Sequence, residues 1–159
     1  MLVVDTEIRS SEIRGKGVFS RQNIKKGTVV GFLGINVHLI SEEEYNKGQA
    51  DGDTMIIKTG ARYVGRYFLC KDRIENEEYF NHSFDPNVLY HCGICFALCD
   101  ICPGEEMTLN YEYLLSQDDF IKFRDGKSGK VVDGISPGKA LLRSAEELIK
   151  LLNDIPDIY

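Results

Sequence analysis

A mainly β fold is what this sequence predicts, and three features predict it. Short runs of β-branched and aromatic residues recur from Leu2 to Leu69, glycine-bearing turns separate them, and almost no helical pattern interrupts them. Segments of that kind settle into a compact arrangement of small sheets. A length of 159 residues suits one domain with a sizeable core, or one domain plus a short extension.

The elements follow in order. Leu2 to Ile8 is β-branched and apolar and reads as a first strand. Arg14-Gly15-Lys16-Gly17 then precedes Val18-Phe19. Two glycines flanking a lysine permit positive φ and a close backbone approach to a ligand. Alone this is a turn, since it lacks the third glycine and following helix of a dinucleotide loop. Lys25-Lys26-Gly27 turns the chain into a strand from Thr28 to Leu33. Ser41-Glu42-Glu43-Glu44 has the form of a capping box, opening a helix that Gly48 is expected to end after about two turns. Asp51-Gly52-Asp53 is a turn before an expected strand, Thr54 to Thr59, and Arg62 to Leu69 adds more strand.

Two dense polar clusters follow, from Asn81 to Asn87 and from Gly104 to Tyr113. The apolar, cysteine-rich run between them, Val88 to Ile101, reads as strand with a break near Gly93. Beyond Tyr113 the composition changes. Ser116 to Asp119 is expected to cap a short amphipathic helix carrying Phe120, Ile121 and Phe123. Lys127-Ser128-Gly129 reads as a hairpin turn before Val131-Val132, and Pro137-Gly138 as a loop. Ser144-Ala145-Glu146-Glu147 opens the clearest helix, with Leu148, Ile149, Leu151 and Leu152 on one face.

Hydrophobic and charged contents of 43% and 28% are ordinary for a soluble globular protein. No apolar run approaches the 18 or so residues that span a bilayer. Met1 to Asp5 lacks the basic flank of a signal peptide, so an intracellular, soluble protein is expected. A net charge of -6 argues against direct nucleic-acid binding and suits a lysine- or arginine-rich partner, although an acidic surface also serves solubility alone. Cys92, Cys95, Cys99 and Cys102 form two C-x-x-C pairs, which invites a zinc reading. Only Phe96-Ala97-Leu98 separates the pairs, and residues three apart on a strand face opposite ways. Packing of small apolar thiols is therefore preferred, and no metal is expected.

Three stretches, taken together, carry a resemblance. Arg14-Gly15-Lys16-Gly17-Val18, Asn81-His82-Ser83-Phe84-Asp85-Pro86-Asn87 and Gly104-Glu105-Glu106-Met107-Thr108-Leu109-Asn110-Tyr111 follow the patterns R-G-x-G-V/L, N-H-S-x-x-P-N and G-E-E-L/M-T-x-D/N-Y. In that order and over roughly Ile8 to Tyr113, the chain resembles the SET-domain protein-lysine methyltransferases. The resemblance implies a SET domain over residues 1–113, made of small curved sheets with Asn81 to Tyr111 threaded as a pseudoknot. Residues 114–159 are then a flanking extension whose helices pack on the core.

The resemblance also implies S-adenosylmethionine as methyl donor and a lysine of a protein, histone-like or otherwise basic, as acceptor. By position, Lys16, Gly17 and Phe19 contact the cofactor, largely through backbone. Asn81 holds its amino-acid end, the His82 backbone meets its adenine, and Tyr111 is the active-site tyrosine. Tyr90 matches a second tyrosine that some mono-methylating relatives use. Departures are Phe84 where many members carry cysteine, Tyr79 where an arginine is common, and Leu109 at the Phe/Tyr position that tunes methyl number. No C-x-C-x4-C motif follows Tyr113.

The chemistry is consistent with those residue types. An amine attacks a sulfonium methyl only when neutral, and a free lysine has a pKa of about 10.4. An apolar channel and a neighbouring sulfonium both lower it, so alignment matters more than a strong base. Phenols such as Tyr111 and Tyr90 orient an amine while staying neutral. His82 is not expected to act as a base, and Glu105 and Glu106 are expected to have structural or surface roles. Phe120 and Phe123 are candidates to cover an adenine. A SET-like module that binds cofactor or peptide without turnover is the alternative, and the intact Asn81, His82 and Tyr111 argue against it. A monomer or homodimer fits equally.

Overall fold

The structure, a computed structural model, describes residues 1–119 and 122–155. The elements are β1 (Thr6–Ser10), β2 (Lys16–Ser20), β3 (Val29–Phe32), β4 (His38–Ser41), α1 (Glu42–Asp51), α2 (Thr54–Thr59), β5 (Ala61–Val64) and β6 (Tyr67–Cys70). After a 3-10 turn at Asn76–Tyr79 come β7 (Asn81–His82), β8 (Val88–His91), β9 (Ile94–Ala97) and β10 (Glu106–Leu109). A second 3-10 turn, Tyr111–Tyr113, leads to β11 (Phe123–Arg124), β12 (Val131–Val132) and α3 (Pro137–Asn153).

The strands form small separate sheets, ordered β1-β2-β10-β7, β3-β9-β8, β4-β6-β5 and β11-β12. In the first sheet β7 and β10 run parallel, with Asn81 beside Thr108 and His82 beside Leu109. The chain thus leaves this sheet at His82 and returns to its flank at Glu106, which brings the two polar clusters together. Val18, Val30, Val88, Cys95, Ala97 and Met107 are wholly inaccessible and form the centre of the core where these sheets meet. Among the described residues no helix is long and apolar enough to cross a membrane.

Several local expectations need correction. Leu2 makes an isolated bridge to Gly31, and the first regular strand starts at Thr6. The segment Thr54–Thr59 is helical, because the Asp53 carboxylate caps it by accepting from the Met55 and Ile56 amides at 2.8 and 3.1 Å. A good N-cap outweighs the β propensity of two isoleucines. Ser41 does cap α1, but the helix runs through Gly48 to Gly52, whose φ of 76° makes the left-handed C-cap. Gly48 serves packing: a Cβ there would sit 2.1 Å from Ile56 Cδ1, so α1 and α2 touch at that point.

At the other end, α3 starts at Pro137 rather than Ser144. Proline suits a first helical position, where its missing N–H has no partner to lose. With α1 and α2, this gives more helix than the sequence suggested. Val88 to Ile101 does break near Gly93, where it folds back into two paired strands at Cys92 and Gly93, whose φ values are 47° and 83°. Of Cys92, Cys95, Cys99 and Cys102 only Cys95 is fully buried, while Cys99 and Cys102 are exposed, so thiol packing explains one position and not the set. Among the described residues no three His, Cys, Asp or Glu side chains are placed to hold a metal ion. Phe123 lies in a hairpin with Val132 instead of a helix, and Phe120 and Ile121 fall outside the described residues.

Asp119 carries a measurable consequence of burial. It is 4% exposed and neither carboxylate oxygen accepts a hydrogen bond from the described residues, although the Tyr45 hydroxyl lies close enough to interact. Desolvation raises its pKa from 3.8 to about 6. Because the folded form holds the proton more tightly than the unfolded chain, this group's contribution falls as pH rises from about 4 to about 6, on the order of 2 kcal/mol in total. Asp119→Asn should therefore be the more stable protein at pH 7.5, by a margin that disappears near pH 4. Urea unfolding at the two pH values reads both.

Candidate active site

The turn between β1 and β2 is held from below by a side-chain clamp. Ser11 Oγ donates to both oxygens of Glu106 at 2.8 Å and accepts from the Ile13 amide at 2.9 Å. Asn81 Nδ2 donates toward Glu106 Oε1 at 2.7 Å, the Lys16 carbonyl at 3.0 Å and the Arg14 carbonyl at 3.2 Å. Three acceptors around one NH2 fix the amide's orientation, so its oxygen must be the end offered to a ligand. Among the described residues that oxygen carries no hydrogen bond. Gly17 is a glycine for a steric reason: a Cβ would lie 2.1 Å from Glu106 Oε1 and 3.2 Å from Asn81 Nδ2.

Asn87 locks the return strand from its other side, accepting from the Thr108 amide and donating to the Glu106 carbonyl, each at 2.9 Å. His82, 5% exposed, accepts the Tyr111 amide on Nδ1 at 3.1 Å. Burial lowers its pKa despite the nearby carboxylates of Asp125 and Glu112. The ring is therefore neutral at pH 7 with its proton on Nε2, and that buried N–H has no partner among the described residues. Both ring nitrogens are thus committed, which removes His82 from the list of candidate bases.

Tyr111 begins the 3-10 turn that follows β10. Its hydroxyl donates to the Phe80 carbonyl at 2.5 Å, and burial pushes its pKa up to about 12. The ring lies 5.3 Å from His82 and meets Phe123 edge-on at 5.6 Å. Tyr111 and Phe123 help to wall a cleft of about 480 Å³ that Arg14, Tyr79, Phe80 and Leu109, among others, also line. At the rim, the Lys16 ammonium stands 5.9 Å from the Tyr79 ring.

The structure brings Lys16, Gly17, Asn81, His82 and Tyr111 into one neighbourhood around the β2-β10-β7 edge. Of the two other expected residues, Phe19 pairs with Glu106 across β2 and β10 but does not line the cleft, and Tyr90 lies apart. The Phe19 ring is stacked under the Arg9 guanidinium, 3.9 Å from its centroid, in a shallow crevice with Glu12 and Gly104. Tyr90 is buried, its hydroxyl donates to the Arg62 carbonyl, and it lines a narrow slot with Tyr63, Tyr113, Ala140 and Leu141. Glu106 takes one of the two roles expected of it, structural hydrogen bonding, by anchoring the clamp. Glu105 caps the Cys102 amide at 2.6 Å, while Glu106, next to it on the strand, faces the other way and reaches Ser11 and Asn81.

The SET-domain family model matches residues 15–112, and the chain belongs to that family. It is 32% identical over 130 residues to the mouse histone-lysine N-methyltransferase NSD3, covering 69% of this chain and 8% of that protein. It is 30% identical over 128 residues to a variant-silencing SET domain-containing protein of Plasmodium falciparum, covering 70% of this chain and 5% of the other. The chain therefore spans less than a tenth of either relative. Among solved structures, the Neurospora SET domain protein DIM-5, a histone lysine methyltransferase, superposes with a TM-score of 0.52 at 22% identity, covering 69% of this chain and 53% of that one. That likeness concerns the fold.

Proposed function

We propose that this protein transfers a methyl group from S-adenosylmethionine to the side-chain amine of a lysine in a protein substrate. The observation that carries the reading is that the Asn81–Glu106–Gly17 clamp lies directly beside the cleft that Tyr111 lines: Asn81 follows Phe80, whose carbonyl takes the Tyr111 hydroxyl, and its amide reaches the carbonyl of Arg14, which also lines the cleft. The residues present suit such a cofactor. The cleft falls within the size range of small-molecule sites, and Tyr79, Phe80 and Phe123 offer aromatic surface to a purine. The free amide oxygen of Asn81 would accept from an ammonium, and Arg14 and Lys16 at the rim would face a carboxylate. When bound, S-adenosylmethionine supplies an electrophilic methyl on a cationic sulfur.

Tyr111 has a defined part in this chemistry. Its proton is given to Phe80, and with a pKa of about 12 it keeps that proton at any physiological pH. Toward an acceptor amine it can therefore only accept, taking an N–H and leaving the amine's lone pair free to point elsewhere. An orienting acceptor of this kind works by alignment, not by proton abstraction. The amine's own proton must leave to solvent before reaction, since His82 has no nitrogen to receive it. The net charge of -6 would favour encounter with a basic protein, histone or otherwise.

Incubation with methyl-labelled S-adenosylmethionine and purified core histones or ribosomal proteins should place label on lysine. Calorimetry with S-adenosylmethionine alone should show binding; its absence would rule out this reading.

A further inference from the structure

Arg62 is the most heavily engaged buried cation among the described residues, and nothing above uses it. It sits in β5 with 2% exposure and binds three separate parts of the molecule. Nη2 donates to Glu42 Oε1 at the start of α1 at 2.8 Å, and Nη1 to the Gly65 carbonyl at 2.8 Å. Nη2 and Nε also reach the Leu115 carbonyl, at 3.1 and 3.4 Å. The guanidinium lies 4.7 Å from the Phe68 ring centroid. The main chain of the same residue adds two more ties: its N–H donates to the Leu114 carbonyl at 2.8 Å, and its carbonyl accepts the Tyr90 hydroxyl.

Leu114 and Leu115 are the residues whose amides close the turn onto the Tyr111 carbonyl, at 2.9 and 3.0 Å. Arg62 therefore holds Tyr111 through one turn of backbone and Tyr90 directly. It stands between two spaces: Ala61, Leu114 and Leu115 line the cofactor-sized cleft on one side, while Arg62, Tyr63, Tyr90 and Tyr113 line the narrow slot on the other. Glu42 completes the pin, since its Oε1 also accepts from Ser116 Oγ at 3.1 Å. A buried arginine–glutamate pair is close to neutral for stability when compared with apolar packing of equal volume. What the fork supplies that apolar packing does not is a fixed geometry between β5 and the tyrosine turn.

We propose that Arg62, held by Glu42, is a positioning residue: it sets the relation between the tyrosine turn and the slot, and so the angle at which an acceptor amine meets the methyl donor. The proposal rests on the methyltransferase reading, and its test separates the two. Arg62→Lys keeps the charge but loses the fork. With core histones as acceptors, it should lower kcat about tenfold or more while the calorimetric Kd for S-adenosylmethionine and the KM for histone stay within about twofold. Independently of activity, amide exchange of Tyr113 to Ser116 should accelerate while Asn81 to Ser83 keep their protection.

Should the lysine variant fail to fold, Glu42→Gln leaves Arg62 on its carbonyl partners and should show the same pattern at smaller amplitude. Unchanged kcat in a folded variant, or losses in cofactor affinity equal to those in kcat, would overturn the positioning role. If the parent protein labels no lysine while the exchange pattern appears as stated, the methyltransferase reading fails and the pin stands.

Discussion

Tyr111→Phe should bind S-adenosylmethionine with nearly the parent affinity and transfer methyl about a hundredfold more slowly. The ring survives the change, so its contacts with His82 and Phe123, and with them the cleft wall, survive as well. What disappears is a neutral hydroxyl whose proton is committed to Phe80, on a residue that lines the cleft. An oriented hydrogen bond to the reacting amine is worth about 2–3 kcal/mol when both partners are desolvated, which corresponds to about a hundredfold in rate. The Phe80 carbonyl loses its donor, so a stability cost of about 1 kcal/mol should accompany the kinetic effect. Single-turnover labelling, calorimetry and urea unfolding read the three quantities separately.

The pH profile adds a second test of the same atom. Between pH 6 and 9 the rate should climb in both proteins, because the fraction of neutral amine on the substrate climbs. Tyr111 itself titrates near pH 12, and so adds no inflection in that range. An inflection present in the parent and absent from Tyr111→Phe would mean that the phenol acts as a base, contrary to the orienting role.

Much of the site was legible in the residues, for identifiable reasons. Asn81, His82 and Gly17 are chemically specialised: an amide with a fixed flip, an imidazole bridging to the turn that opens at Tyr111, and a glycine pressed against a carboxylate. Each function demands one residue type, so each leaves a motif. The partners of Glu106 and the whole part of Arg62 escaped because the groups they meet, Ser11 and Leu115, are distant in sequence and common in type. The misread helices escaped for a different cause. In Thr54–Thr59 the side chains favour a strand, and only the Asp53 cap and the packing of Ile56 on Gly48 decide otherwise. Such tertiary decisions leave no local periodicity to read.

Gly17 and Gly15, neighbours in the same turn, should respond to alanine in opposite ways. At Gly17 the new methyl would overlap Glu106 Oε1 at 2.1 Å, and the Glu106 carboxylate is the flexible partner that must swing away. The backbone is spared, so the protein folds, but Ser11 and Asn81 lose their shared acceptor and the Asn81 amide loses its fixed orientation. Affinity for S-adenosylmethionine should fall about tenfold or more, the range expected when one well-placed charge-assisted contact is lost.

At Gly15 nothing lies within 4 Å of the new methyl, but φ is +53°, so alanine there should cost about 1 kcal/mol of stability and leave affinity within about twofold. Glu106→Ala provides the closing arm of a cycle. It removes the atom with which the Gly17 methyl collides, so Gly17→Ala combined with Glu106→Ala should bind no worse than Glu106→Ala alone. Additive losses in that double variant would show that Gly17 serves the cofactor by a route other than the clamp, through its own backbone.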